Sequence, residues 1–325
     1  MQCLCLCDQL CVLITIGSLA TGVGCGSINE AHRPPDAAAD SSSAPPDSSP
    51  PDAAAQIPRC DPNKPFGAPT NVMELNSPAR DQGAKLVDDG LTIYFGSDRM
   101  GTGLYKATRN SLTELFGTPV ALTAINATGA ATGPSLTGDG LTLYYALIPP
   151  GQTTGDIYVT TRSDKASDFP PGTPVAQVNS TIDDLDPFIT EDGAALYFDS
   201  ARGQTSLHLY VTVRRGDRSF DVPQPLTSLN TTLVDGHPVL SGDGRTLYWS
   251  STRTDGGAQG LTDIWMATRP SPAGTFGAPT RIPELSTASG ESVSWIAPDG
   301  CEVYLQSDRP GGLGSQDIWV ALKPM

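Results

Sequence analysis

Asp243-Gly244-Arg245-Thr246-Leu247-Tyr248-Trp249 is one of five copies of a single frame, the others beginning at Asp89, Asp139, Asp192 and Asp299. Five residues after each Asp stands an aromatic (Tyr94, Tyr144, Tyr197, Tyr248, Tyr304), preceded by an aliphatic residue (Ile93, Leu143, Leu196, Leu247, Val303). Successive Asp residues are 50, 53, 51 and 56 positions apart. Periods of that size, in segments rich in β-formers and glycine turns, mark propeller blades; helical solenoids would show an apolar rhythm of about 3.6 residues. The repeats therefore predict an all-β, five-bladed β-propeller over 61–325. Six blades is the alternative if an irregular stretch such as 146–156 hides further strands.

Each blade reads as four antiparallel strands. Strand a ends in the Asp-Gly turn (Pro238-Val239-Leu240-Ser241 in the fourth copy), and strand b is the aliphatic-aromatic run. Three apolar residues in a row there mean that both faces of the strand are covered, as when blades stack. Strand c carries Leu104-Tyr105, Ile157-Tyr158, Leu209-Tyr210, Ile264-Trp265 or Ile318-Trp319, with Arg109, Arg162, Arg214, Arg269 or Lys323 four residues beyond the aromatic. These cations are expected at the solvent end of the strand. Strand d is announced by Phe66, Phe116, Phe169, Phe220 or Phe276 with a nearby Pro, which an outermost strand tolerates on its free edge.

Phe66 precedes the first complete a-b-c set, and the chain stops after the fifth strand c. The N-terminal strand d should therefore complete blade five and close the ring. Cys301 follows the Asp299-Gly300 turn of that blade, and Cys60 lies just ahead of Phe66. In an up-and-down sheet the a-b turn and the start of strand d lie at the same end, two strand spacings or about 10 Å apart. The short segment between Cys60 and Phe66 spans that, so a Cys60–Cys301 disulfide is expected to pin the closing strand.

The frame Pro-x-Leu-Ser-x-Asp-Gly-x-x-Leu-Tyr-Phe-x-Ser-x-Arg, followed by Asp-Ile-Trp-x-Ala, resembles the WD-like propeller repeat of the TolB type found in bacterial periplasmic proteins. Residues 238–267 and 296–321 match it best. TolB-like domains usually have six blades where five are counted here, and blade two departs after Tyr145, with Ala146-Leu147-Ile148-Pro149-Pro150 in place of Ser-x-Arg. The resemblance implies a scaffold and names no ligand.

Formal net charge is -15, with 20 Lys and Arg among 325 residues. Phosphate neutralisation needs a basic surface, so no nucleic-acid partner is expected. The first 24 residues hold an apolar core from Leu10 to Ala20, too short to cross a bilayer, and read as a secretory signal. Gly22-Val23-Gly24-Cys25 resembles the bacterial lipobox, with Gly22 where that family prefers Leu; it implies a diacylglycerol on Cys25 and, with Gly26 behind it, attachment to the outer membrane. Residues 25–60 read as a Pro-, Ala-, Ser- and Asp-rich tether that cannot offset its ordering entropy.

The Ser-x-Arg triplets (Arg99, Arg202, Arg253, Arg309) and the Asp that opens strand c (Asp156, Asp263, Asp317) recur at fixed places. They predict ion pairs bridging each b-c hairpin. Residues that break the repeat are the better site candidates. Just before strand a the copies diverge, and Asp186, Asp235, His237 and Glu291 read as a funnel lining suited to a cation, a sugar or a basic peptide. With three His residues, no G-x-S-x-G elbow and no H-E-x-x-H pair, no catalytic residue, cofactor or metal site is assigned. The expected function is a monomeric, non-catalytic envelope lipoprotein that binds a protein or a glycan. The alternative is a glycoside hydrolase using Asp186 and Glu291 across the funnel.

Overall fold

The computed structural model describes residues 59–216 and 219–325. Cys25, the signal segment 1–24 and the tether up to residue 58 lie outside them. The Asp-Gly turns act as the sequence requires. The carboxylates of Asp139, Asp192, Asp243 and Asp299 each accept the backbone N–H two residues on, at 2.9, 2.9, 3.0 and 3.0 Å. The following Gly140, Gly193, Gly244 and Gly300 take φ of 68, 69, 68 and 71°, a left-handed turn position that favours glycine.

Hairpins closed this way build five four-stranded antiparallel sheets. Blade one is β2 (Asp81–Val87), β3 (Thr92–Ser97), β4 (Gly103–Thr108) and β5 (Val120–Ala121); blade two is β6 (Ala130–Leu136), β7 (Thr142–Ile148), β8 (Asp156–Thr161) and β9 (Thr173–Pro174). Blade three comprises β10 (Asp184–Ile189), β11 (Ala195–Ser200), β12 (His208–Val213) and β13 (Gln224–Pro225). In blade four come β14 (Asp235–Leu240), β15 (Thr246–Ser251), β16 (Asp263–Thr268) and β17 (Thr280–Arg281). Blade five joins β18 (Glu291–Ile296), β19 (Glu302–Ser307) and β20 (Asp317–Leu322) to β1 (Thr70–Asn71) from the other end of the described chain. Thr70 stands opposite Val320, so the ring closes through the N-terminal strand as expected.

The aliphatic-aromatic strands stack blade on blade, with Phe95, Tyr145, Phe198 and Trp249 fully buried. The strand-c cations do more than reach solvent. Arg109, Arg162, Arg214, Arg269 and Lys323 lie over the rings of Phe116, Phe169, Phe220, Phe276 and Phe66 at 4.4 to 5.0 Å. Three of them also donate to the carbonyl of the turn glycine, Arg109 to Gly90, Arg162 to Gly140 and Arg269 to Gly244. That the fifth member is Lys323 over Phe66 marks Phe66 as a blade-five residue.

The predicted b-c ion pairs are not the ones formed. Each Arg of Ser-x-Arg turns instead toward the first residue of strand a: Arg99 to Asp81 at 2.7 Å, Arg202 to Asp184, Arg253 to Asp235 at 2.7 Å and Arg309 to Glu291 at 3.3 Å. Nε of each bonds the Ser two positions earlier (Ser97, Ser200, Ser251, Ser307). The same Nη2 that meets the acid also donates to the carbonyl of Leu75, Val178, Leu229 or Leu285, in the segment crossing from one blade to the next. Aromatic rings of strands b and c, such as Trp249 and Trp265 at 5.3 and 4.8 Å, enclose the guanidinium. The geometry follows from reach: Asp263 and Asp317 accept backbone N–H groups of their own b-c loop, from Gln259 and Gly314.

The residue after that carbonyl holds the crossover from the other side. Asn76, Asn126, Asn179 and Asn230 each accept from and donate to one strand-c residue of the preceding blade, Ile318, Leu104, Ile157 and Leu209 respectively. Blade two lacks the staple entirely. Ala131 replaces the acid, Leu147 the Ser and Pro149 the Arg, and Ala131 and Leu147 are buried in one apolar cluster with Ile125.

Cys60 and Cys301 form the expected disulfide, with Cα atoms 5.6 Å apart. Arg59 adds an ion pair to Asp299 at 2.8 Å. Two predictions follow from these bonds. Replacing both cysteines with Ser should lower the unfolding free energy by about 5.5 kcal/mol in the chain-entropy account of a 241-residue loop, read from denaturant melts. Asp235→Ala alone should cost about 3 to 5 kcal/mol by stranding buried Arg253. The triple change Asp235→Ala, Ser251→Leu, Arg253→Pro, which copies blade two, should recover most of that loss in the same melts.

Candidate functional site

The innermost strands of all five blades line a central channel. Each carries a register shift, between Gln82 and Lys85, Thr132 and Ser135, Leu185 and Phe188, Gly236 and Val239, and Val293 and Trp295. A bulge re-aims one side chain per blade. In blades one to four the bulged residue has positive φ: Gly83 at 62°, Gly133 at 57°, Asp186 at 45° and His237 at 54°. Asp186 and His237 thus hold left-handed backbone where the first two blades use glycine, and their side chains enter the channel about a quarter exposed (23 and 30%).

The four sequence candidates separate into two kinds. Asp186 and His237 come together, Asp186 Oδ2 lying 3.3 Å from His237 Nε2. Asp235 and Glu291 are fully buried and committed to Arg253 and Arg309. Both are the first residue of strand a, two positions before the bulge, and that places them behind the channel wall in the staple rather than on the funnel surface. His208 lies in β12 with Nε2 3.3 Å from Ser206 Oγ.

The sequence reading missed two residues. Asp199 occupies the variable position of Tyr-Phe-x-Ser-x-Arg, where the other blades have Gly96, Ala146, Ser250 and Gln306. Three of these side chains do the same job: Asp199 accepts the N–H of His237 at 2.9 Å, Ser250 that of Val293 at 3.3 Å and Gln306 that of Gly83 at 2.7 Å, each linking one blade to the next. Asp199 is the acidic member of the series and is wholly buried. Burial, then the neighbouring charge of Asp186, raises its pKa well above the usual carboxylate range. The signal available in the sequence was a carboxylate at a place the repeat otherwise fills with small or neutral residues.

The second is Lys85, in β2, where the other blades present Ser135, Phe188, Val239 and Trp295. It is 5% exposed, with Nζ 4.7 Å from the centre of the Phe188 ring, and burial lowers its pKa to about 8 against the pull of Glu191. Lys85 and Phe188 separate the narrow channel from a wider groove of about 590 Å³ at the end that carries the a-b turns. Tyr197, Trp295, Glu191 and Arg269 also line that groove.

No protein-family model and no curated protein matches the chain. Solved structures do resemble it. The catalytic domain of a GH62 α-L-arabinofuranosidase from Coprinopsis cinerea superposes with a TM-score of 0.52 at 10% identity, covering 80% of this chain and 97% of that one. A thermostable family-43 glycoside hydrolase gives 0.50 at 13% identity over 75% and 90% of the two chains. A putative TolB from Agrobacterium tumefaciens gives 0.46 at 18% identity over 81% and 91%. What the chain shares with the two glycoside hydrolases is the fold.

Lys85 yields a pH prediction with a definite sign. Its folded pKa of about 8 lies below the ordinary 10.5, so the unfolded chain binds the proton first as pH falls. The penalty on the folded state is complete below about pH 8 and vanishes as pH rises to 10.5. Lys85→Met should therefore stabilise the protein at pH 7 by on the order of 3 kcal/mol, and that gain should shrink steadily in melts taken from pH 8 to 10.5.

Proposed function

We propose that the chain is an exported lipoprotein, anchored to the outer membrane through Cys25, that presents its propeller as a non-catalytic binding scaffold for an envelope protein or glycan. The observation that carries this reading is the fate of the carboxylates. A glycosidase needs two carboxyl groups facing one glycosidic bond, about 5 to 5.5 Å apart for retention and about 6.5 to 9.5 Å for inversion. Glu291, the partner that Asp186 would need across the funnel, is fully buried against Arg309. The carboxylate that does approach Asp186 is Asp199, which is also fully buried and so offers no exposed carboxyl as the second catalytic group.

The groove offers what binding requires. Its volume of about 590 Å³ lies within the range of about 300 to 1,000 Å³ usual for ligand sites, and its wall mixes the rings of Phe188, Tyr197 and Trp295 with a few charges. A sugar ring or an aromatic or aliphatic peptide side chain fits that chemistry. The glycoside-hydrolase reading keeps one support, the propeller fold shared with the family-43 and GH62 enzymes.

A photo-crosslinking amino acid at Val213, half exposed on the groove wall, should give a defined adduct in intact envelopes. The same group at Met100, 87% exposed and away from the groove, should not. Adducts from position 100 alone would remove the groove from the proposal. Glycoside turnover that disappears in a folded Asp186→Asn variant would replace it with the enzyme reading.

A further inference from the structure

Asp186, Asp199 and His237 each offer one ligand atom, and the three atoms lie within 4.8 Å of one another. They come from β10, β11 and β14, so two adjacent blades meet here at the channel. Asp199 is 0% exposed; its Oδ2 accepts the His237 N–H, its Oδ1 meets no N–H donor, and the side chain beside it is a second acid, Asp186. A buried carboxylate oxygen without a donor costs free energy that the interior does not return. A second carboxylate beside it adds like-charge repulsion in a medium of low dielectric. One bound dication would satisfy both.

We propose that Asp186, Asp199 and His237 form a binding site for a divalent transition-metal cation of the zinc or manganese kind. The donor set is two carboxylate oxygens and one imidazole nitrogen. Calcium and magnesium prefer oxygen ligands throughout, whereas an imidazole in the set suits zinc and its neighbours. Three protein ligands leave at least one coordination position open toward the channel for water or for a donor atom of a bound partner. His237 Nε2 lies 3.3 Å from Asp186 Oδ2 and 3.3 Å from Gln306 Nε2, and a bound cation would take the place of the Gln306 contact. Gly236 keeps the site open, since a Cβ there would stand 2.5 Å from Asp199 Oδ2. The site does not depend on whether the channel serves a protein, a glycan or nothing further.

The repeat supplies variants that the fold already tolerates. Blade four carries Ser250 where blade three has Asp199, and its hydroxyl makes the equivalent inter-blade bond; blades one and two carry Gly83 and Gly133 where blade four has His237. Full-length protein stripped with a chelator should bind one Zn²⁺ or Mn²⁺ per chain in calorimetric titration and bind Ca²⁺ far more weakly. Asp199→Ser and His237→Gly should each weaken zinc binding by roughly tenfold or more, since even changes to the outer partners of metal ligands cost 10- to 100-fold. Each variant is checked first for a cooperative thermal transition. A stripped protein that binds neither zinc nor manganese would overturn the proposal and leave Asp199 as a protonated partner of Asp186. Equal zinc affinity in a folded Asp199→Ser variant would place binding elsewhere on this acidic chain and equally overturn it, and preference for Ca²⁺ would refute the ligand class.

Discussion

The buried guanidinium that joins strand a to strand b is the interaction around which this ring is assembled. In four of five blades an Arg holds an acid at the start of the innermost strand, a Ser at the end of the next, and a carbonyl in the crossover from the preceding blade. A propeller blade contacts chiefly its two neighbours, so the crossover is where one repeat must be fixed relative to the next. Charge-assisted bonds to a rigid, planar donor give that fixing direction, which apolar packing lacks. A pair so buried need not add net stability over an apolar replacement, and blade two demonstrates the replacement within the same chain with Ala131 and Leu147.

Closure depends on the opposite device, a contact between the distant ends of the domain. Strand β1 completes blade five, Lys323 lies over Phe66, and Cys60 is bonded to Cys301 across 241 residues of sequence. The staple arranges neighbours and the disulfide removes the freedom of the ring to open. The two operate at opposite ends of the same strand in blade five, with Ser307 closing β19 in the staple and Cys301 standing just before its first residue.

The channel departs from the repeat in ways that a scaffold alone does not require. Left-handed backbone at Asp186 and His237 costs more than the glycine used at the same bulge in blades one and two, and such strain gathers where a side chain must be aimed. Lys85 is buried beside Phe188 at the other end of the same channel, so opposite charges occupy its two halves. A partner or ion entering there meets carboxylates and imidazole on one side and an ammonium with aromatic rings on the other.

The sequence by itself determined the blade count, the strand order within blades, the closing strand and the disulfide pairing. Each of these follows from local periodicity: an Asp-Gly turn, an aromatic five residues on, and a Phe that lacks a blade of its own until the last. The tertiary structure decided which charges meet. Periodicity places Arg253 near both Asp235 and Asp263, and only the bend of the b-c loop, which satisfies Asp263 with its own backbone, sends the guanidinium to Asp235. The same holds for the candidate site. Asp186 and His237 were legible as breaks in the repeat, whereas Asp235 and Glu291, alike in sequence position, lie behind the channel wall because they sit two residues before the bulge. Asp199 joined them from a different strand and Lys85 from a different blade, because side-chain direction at a register shift depends on backbone dihedrals that spacing along the chain does not encode.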